Sequence, residues 1–214
     1  MSDIKVINLN RVQVKLSDTD DPVALKTNWE PLKPGGASFK TQKLVEYEHT
    51  ITIEKTLGAY VIALCFVVPG LLGLFVGAPY NFYMGKVSTG IFLTVWGAMF
   101  AAAGVFLFKS DKKFTIDKLS GTYYRGKGFD YLNSHERIVQ GNTNDVYAIQ
   151  ILEEKIRSHS NNRRTQTYTS YEINFVFKDG ERVNIMDHGK EEDIVRASKI
   201  LGAFLRAPVW RAEY

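Results

Sequence analysis

Two uncharged apolar runs dominate the hydropathy pattern: LGAYVIALCFVVPGLLGLFVGAP over residues 57–79 and VSTGIFLTVWGAMFAAAGVFLF over residues 87–108, with the aromatic stretch APYNFYMGK at their junction. At 1.5 Å per residue each run of about 22 residues reaches about 33 Å, enough for a hydrocarbon core of about 30 Å. Neither run shows the polar stripe that a surface helix of a soluble protein presents to water. The pattern predicts a transmembrane helical hairpin over residues 57–108. A secretory signal does not fit, because a long charged segment precedes the first run and a second run follows it. Tyr80, Phe82 and Tyr83 suit an interfacial aromatic belt. The outer flanks carry Lys55, Lys109, Lys112 and Lys113, whereas the junction carries only Lys86. The positive-inside rule therefore predicts both termini in the cytoplasm.

Small residues mark the expected packing seam. Gly73 and Gly77 form a GxxxG pair, Gly90, Gly97 and Gly104 recur at heptad spacing, and Ala101 lies one turn from Gly97. Such residues let backbones approach closely where lipid supplies no hydrophobic drive. They point to contact between the two helices of the hairpin, with homodimerisation as the alternative. Pro69-Gly70 predicts a kink. No acidic, basic or histidine side chain lies inside either run, which argues against an ion or proton pathway.

Outside the hairpin the period changes to two. Alternation at Ile4 and Val6, then at Val12, Val14 and Leu16, predicts short strands in the segment 1–56, which is otherwise rich in Pro, Gly and Asp. Val45, Tyr47, His49, Ile51 and Ile53 predict a strand leading into the first run, and the segment is expected to add strands to the sheet that follows or to cover its edge. Residues 109–214 read as an antiparallel β-rich domain. A hairpin spans residues 114–124, a strand starts near Val146, and a second hairpin turns at Asp179-Gly180. An amphipathic helix over about 190–206 then closes the sheet. It has Glu191, Glu192 and Asp193 in its first turn, an apolar face of Ile194, Ala197, Leu201, Phe204 and Leu205, and Pro208 beyond its end. The fold class is an α+β membrane protein.

Length and charge bound the rest. The chain has 214 residues, enough for the hairpin and one soluble domain, and its net charge is +4. This mild excess fits anionic headgroups better than nucleic acid. The lone cysteine, Cys65, excludes an intramolecular disulfide or a cysteine-rich metal site. KPGG lacks the spacing of a phosphate loop, and the Asp18, Asp20, Asp21 cluster lacks the later ligands of a calcium loop. The four histidines show no HxxxH or HExxH spacing, and no metal or cofactor is expected.

Two clusters remain as candidates. Asp187-His188 places a base beside a carboxylate, against a reading as a strand-to-helix turn. Lys155, Arg157, Arg163 and Arg164 form a basic stretch with serines and asparagines, suited to lipid phosphate or a partner, against a reading as a solvated loop.

The strand-rich body with a final helix resembles a pleckstrin-homology-like module of bacterial membrane proteins. The two spans, FTIDKLSGTYYRG, DVYAIQI and ASKILGAFLRAPVW resemble the layout of the photosystem I assembly proteins that carry two membrane helices. TNWEPLKPGGASFKT and YEINFVFKDGERVNIMDHG are similar to segments of uncharacterised bacterial inner-membrane proteins, a resemblance that implies the inner membrane as location and no particular activity. The expectation is a non-enzymatic, membrane-anchored protein that binds the bilayer and another membrane protein. Its role would be an assembly, accessory or regulatory factor, toxin immunity included. The alternatives are a membrane-bound enzyme using Asp187 and His188, and an anionic-lipid module acting through residues 155–164.

Overall fold

The computed structural model describes residues 6–9, 12–15, 21–110, 112–132, 136–159 and 165–213. In chain order the elements are β1 (Val6–Leu9), β2 (Val12–Lys15), α1 (Pro22–Lys26), β3 (Gln42–Glu46), β4 (Thr50–Lys55), α2 (Leu57–Leu72), α3 (Ala78–Tyr83) and α4 (Val87–Lys109). They continue with β5 (Phe114–Asp117), β6 (Thr122–Arg125), β7 (Gln140–Asn142), β8 (Val146–His159), β9 (Thr165–Phe177), β10 (Arg182–His188), α5 (Glu191–Leu205) and β11 (Val209–Glu213). The chain divides into two compact units: residues 55–112 form one, and residues 1–54 together with 113–214 form the other. The fold is α+β.

The helical unit is a hairpin of two helices long and apolar enough to cross a membrane, Leu57–Tyr83 and Val87–Lys109. The first continues past its expected end at residue 79. Asn81 Nδ2 donates to Gly77 O at 2.8 Å inside what the sequence suggested was a turn, and the reversal is confined to Met84, Gly85 and Lys86. Gly85 there has φ 73°, a conformation that costs other residues energy. The α-helix runs through Pro69 to Leu72, and its irregularity is a π-turn at Gly73–Gly77. That turn sits just ahead of Pro79, which has no N–H to give and would crowd the carbonyl of Phe75 in a regular helix.

Small residues do form the seam, and they do so within the chain. A Cβ on Gly97 would lie 2.7 Å from Gly70 O and Leu74 N, and one on Gly104 would lie 2.7 Å from Val67 N. A Cβ on Gly70 would lie 2.5 Å from Ala101 N. Gly90 is filled by the ring of Phe82, Gly73 by Trp96 and Gly77 by Leu93. Every small residue singled out in the sequence is thus occupied by the opposite helix, so a homodimer would have to use another face. Lys55 Nζ closes the hairpin's end, donating to Phe108 O at 3.2 Å and to Leu107 O.

The second unit holds two sheets. One is five-stranded in the order β3-β4-β5-β6-β7, and the other is six-stranded in the order β1-β2-β11-β8-β9-β10. The segment read as one strand over 45–53 is two, because Glu48 and His49 fall in a turn closed by Tyr47 N to Thr50 O at 2.8 Å. The helical hairpin is spliced between neighbouring strands. β4 enters it and β5 leaves it, and they pair antiparallel with Ile53 opposite Phe114. The two sheets share a core in which Ile51, Phe114, Ile116 and Tyr123 meet Ile149, Ile173 and Phe175, with the Phe175 ring edge-on to Phe114 and Tyr123 at 5.8 and 5.6 Å. Ile194, Ala197 and Leu201 of α5 pack in the same cluster.

Helix α5 is not the last element. After Arg206, which caps it in the left-handed region at φ 52°, the chain returns as β11 into the middle of the six-stranded sheet, parallel to β8 and antiparallel to β2. Trp210 is buried on the sheet's other face against Trp29, their ring centroids 6.1 Å apart, with Val23, Ala24, Leu152 and Val176. The N-terminal segment is therefore built into both sheets and covers the far face of one.

Gly97→Ala is expected to destabilise the hairpin by about 1–3 kcal/mol, since backbone rather than side chain blocks the new methyl. Gly58→Ala, with no atom nearer than 3.8 Å, is expected to be neutral or stabilising. Thermal unfolding of the two variants in detergent checks the contrast.

Candidate functional site

The six-stranded sheet carries a polar row on the face opposite α5. Alternation along β8 and β9 puts Ile149, Ile151, Ile173 and Phe175 on the core side, and Gln150, Leu152, Glu154, Ser170, Glu172 and Asn174 on the other. Asp187 of β10 lies directly across from Glu172 and joins this face. Gln150, Glu172, Asn174 and Ser170 are all buried. What buries them is the N-terminal segment 28–42, a strap without regular secondary structure up to residue 41.

The strap is held through its own backbone. Gln150 Nε2 donates to Asn28 O at 3.0 Å, and Arg182 donates to Glu30 O at 2.8 Å. The Glu172 carboxylate accepts from Leu32 N at 3.0 Å and Lys33 N at 3.1 Å, and Glu154 accepts from Gly35 N at 2.9 Å. Gln150 Oε1 receives Asn174 Nδ2 at 3.3 Å and Arg182 at 3.1 Å, which ties the row together. Gly36 lies so close that a Cβ would be 2.2 Å from Ser170 Oγ and 2.6 Å from Asp187 Oδ1. The strap's end then caps the β10 edge: Gly189 N donates to Phe39 O at 3.2 Å, Thr41 Oγ1 to Asp187 O at 2.8 Å, and Asp187 N to Gln42 Oε1 at 3.0 Å. Strap N–H and C=O groups without sheet partners are met in this way by side chains. A small open cleft remains beside it, lined by Lys33, Glu154, Ser170, Glu172 and Asp187 among others.

Asp187 and His188 do not converge. Consecutive strand residues point to opposite faces. Asp187 meets Ser170, whose Oγ donates to Oδ1 at 3.1 Å, under the strap. His188 is fully buried on the core side beside Tyr171, and its Nδ1 accepts from Lys190 N at 3.0 Å, the turn geometry leading into α5. Its Nε2 is buried without a hydrogen-bond partner. Burial pushes the Asp187 carboxyl up to about 6 and the His188 imidazole down to about 4. The pair supplies no shared acid–base site.

The basic stretch is also divided. Lys155 and Arg157 are exposed on β8, opposite Thr169 and Thr167 of β9. They lie on a strand that runs to His159 rather than on a loop, while Arg163 and Arg164 fall outside the described residues. Among the described residues β8 pairs with β11 over Ile149–Ile151 and β9 with β10 over Tyr171–Val176, and the β8–β9 ribbon runs on past both. Among the described residues no group of three or more His, Cys, Asp or Glu is placed to hold a metal. Sequence reasoning missed the strap's partners altogether. Gln150, Glu172 and Asn174 alternate with the core-facing apolar positions and so read as solvent-facing, with no local signal that a segment covers them.

Glu172→Ala is expected to cost about 2–3 kcal/mol, because the N–H groups of Leu32 and Lys33 lose a charged acceptor. Hydrogen exchange at Leu32, Lys33 and Gly35 should accelerate more than exchange in β5. The two shifted groups oppose one another in pH. A carboxyl raised from 3.8 to about 6 in the folded state loses stabilisation as pH rises through that range; an imidazole lowered from 6.5 to about 4 loses it as pH falls through its range. Asp187→Asn should therefore gain stability relative to the parent as pH goes from 4 to 6, and His188→Gln should gain relative to the parent as pH goes from 6.5 to 4. Urea midpoints across pH check both signs.

In comparison with known proteins, no family model matches the chain, no curated protein is detectably similar to it, and no solved structure matches its fold.

Proposed function

We propose that this is a non-enzymatic, membrane-anchored interaction protein. The Leu57–Tyr83 and Val87–Lys109 helices span the inner membrane of a bacterium as a hairpin, and the α+β domain lies on the cytoplasmic side with both termini. The domain acts by binding another membrane protein, in an assembly, accessory or regulatory role that includes toxin immunity. The membrane reading is supported by outward-facing Leu71, Phe75, Val95, Met99 and Phe106, large apolar side chains for which water is a poor solvent. Orientation is supported by Lys109, Lys112 and Lys113 at one end of the hairpin against Lys86 at the other.

The strap carries the interaction reading. On this face the side chains of Gln150, Glu154 and Glu172 bond to the backbone of a segment of the same chain, and Ser170 donates to the Asp187 carboxylate beside it. They act structurally there. The extended ribbon of β8 and β9 carries exposed Lys155 and Arg157, a basic surface that supports contact with a partner.

The test is purification of the full chain from membranes in mild detergent. A stoichiometric membrane protein is expected to accompany it, and Lys155→Glu with Arg157→Glu is expected to release that partner. Repeated recovery of the chain alone, or recovery in the supernatant of a detergent-free high-speed spin, would overturn the proposal.

A further inference from the structure

The connection between β6 and β7 exposes large apolar side chains although its two legs are pinned. Leu132 is 90% exposed, Tyr131 79% and Ile138 69%. Phe129 packs edge-on to Tyr131 at 5.0 Å. The neck is closed by Gln140, whose Oε1 accepts from Asp130 N at 2.7 Å while its Nε2 donates to Asp130 O. The return leg is fixed by Arg125 N to Val139 O at 2.7 Å, Tyr123 Oη to Arg137 O at 3.0 Å, and Arg137 to Glu181 at 2.7 Å. Apolar groups held in water by this many bonds are not incidental to a floppy loop.

Chain connectivity says what surface they face. Gly126, which opens the first leg, donates its N–H to Lys113 O at 2.8 Å. Lys113 is four residues past Lys109, the end of α4, so at most about 14 Å of extended chain separates them. Helix α4, with 23 residues, reaches about 34 Å, longer than a hydrocarbon core of about 30 Å, so Lys109 falls in the headgroup layer. The legs, residues 127–132 and 136–139, therefore start within reach of that layer. Lys127 is exposed at the start of the first leg, and Lys113, whose carbonyl Gly126 bonds, is exposed as well. Asp130 is turned back on its own leg, its carboxylate accepting from Leu132 N at 2.9 Å. Aromatic and aliphatic tips beside lysines are what an anionic interface takes up.

We infer that the β6–β7 legs form a foot that inserts Tyr131, Leu132 and Ile138 into an anionic lipid surface. This rests on the membrane reading above and adds a second lipid contact to it, distinct from the basic stretch at 155–164.

The test places an environment-sensitive fluorophore on single cysteines in a Cys65→Ser background. The full chain is reconstituted in phosphatidylcholine or phosphatidylcholine–phosphatidylglycerol vesicles carrying a lipid-borne quencher. Leu132→Cys tests the foot. Leu119→Cys, an exposed leucine in the β5–β6 turn at the far end of those strands, is the aqueous control, and Met99→Cys on the outer face of α4 is the bilayer control. The label at 132 is expected to shift to the blue and be quenched several-fold more than that at 119. The effect should be larger with phosphatidylglycerol and reduced by Lys127→Glu. A label at 132 that behaves like that at 119 while 99 is quenched overturns the foot alone. A label at 132 that is shielded but not quenched by lipid also overturns it, in favour of a protein contact. If 99 itself reports water, the membrane reading falls with it.

Discussion

Glu172 is a carboxylate with almost no access to water, and burying such a charge is tolerated only where strong donors meet it. The donors are the backbone N–H groups of Leu32 and Lys33, groups that in turn have no strand to pair with. Each side resolves the other's cost. The same exchange is repeated by Gln150 with Asn28 O, Arg182 with Glu30 O, and Glu154 with Gly35 N. The strap can therefore cross a sheet face without becoming a strand, and the sheet can bury polar side chains without hollowing its core. Trp29, just inside the strap, adds the apolar part by packing at a tilt against Trp210. Its indole N–H goes to Ala24 O at 3.0 Å.

The strap also makes the chain's ends interdependent. Residues 28–42 precede the helical hairpin and their partners follow it, so more than 100 residues separate Leu32 from Glu172. Contacts this distant pay loop-closure entropy before they return anything. The hairpin lowers that cost. Its helices bring residues 55 and 112 together, and β4 and β5 then pair at Ile53 and Phe114 as though the insertion were a turn.

Much of this was legible in the sequence where one physical signal dominated. Uncharged length fixed the helices, and the glycines at 90, 97 and 104 marked their seam, because close backbone approach leaves few substitutes for glycine. Asp179-Gly180 placed a hairpin correctly, with Gly180 at φ 89°. Failures came where local pattern and long-range partner disagree. Val45 to Ile53 alternates through Glu48 and His49, and nothing in that alternation shows that the chain turns there. The short VWRAE segment has little local signal, yet it occupies the middle of a sheet because β8 and β2 both offer it an edge. Asp21 looked like part of a solvated acidic turn, but it caps α1 through Val23 N at 2.8 Å and takes the Tyr147 hydroxyl at 3.0 Å. The strap's composition reads as loop, and only the sheet supplies its bonds.

Asp187 and His188 show why adjacency and a displaced pKa are insufficient grounds for a catalytic pair. Displaced groups do concentrate at active sites, because catalysis needs protons held at unusual affinity. The same displacement arises whenever folding encloses an ionisable group for other reasons. Here burial is the leading cause for both, and it acts on two separate faces of one strand. Asp187 meets Ser170 and the strap; His188 accepts from the Lys190 N–H where the chain enters α5. A working pair must share a reacting atom within hydrogen-bond reach of both members. A strand's pleat forbids that for neighbours in sequence unless a bulge intervenes, and the β10 irregularity lies earlier, between Asn184 and Met186. The dipeptide that looked most chemical in the sequence is therefore the point where strand β10 is fastened on one side to its cover and on the other to the helix that follows.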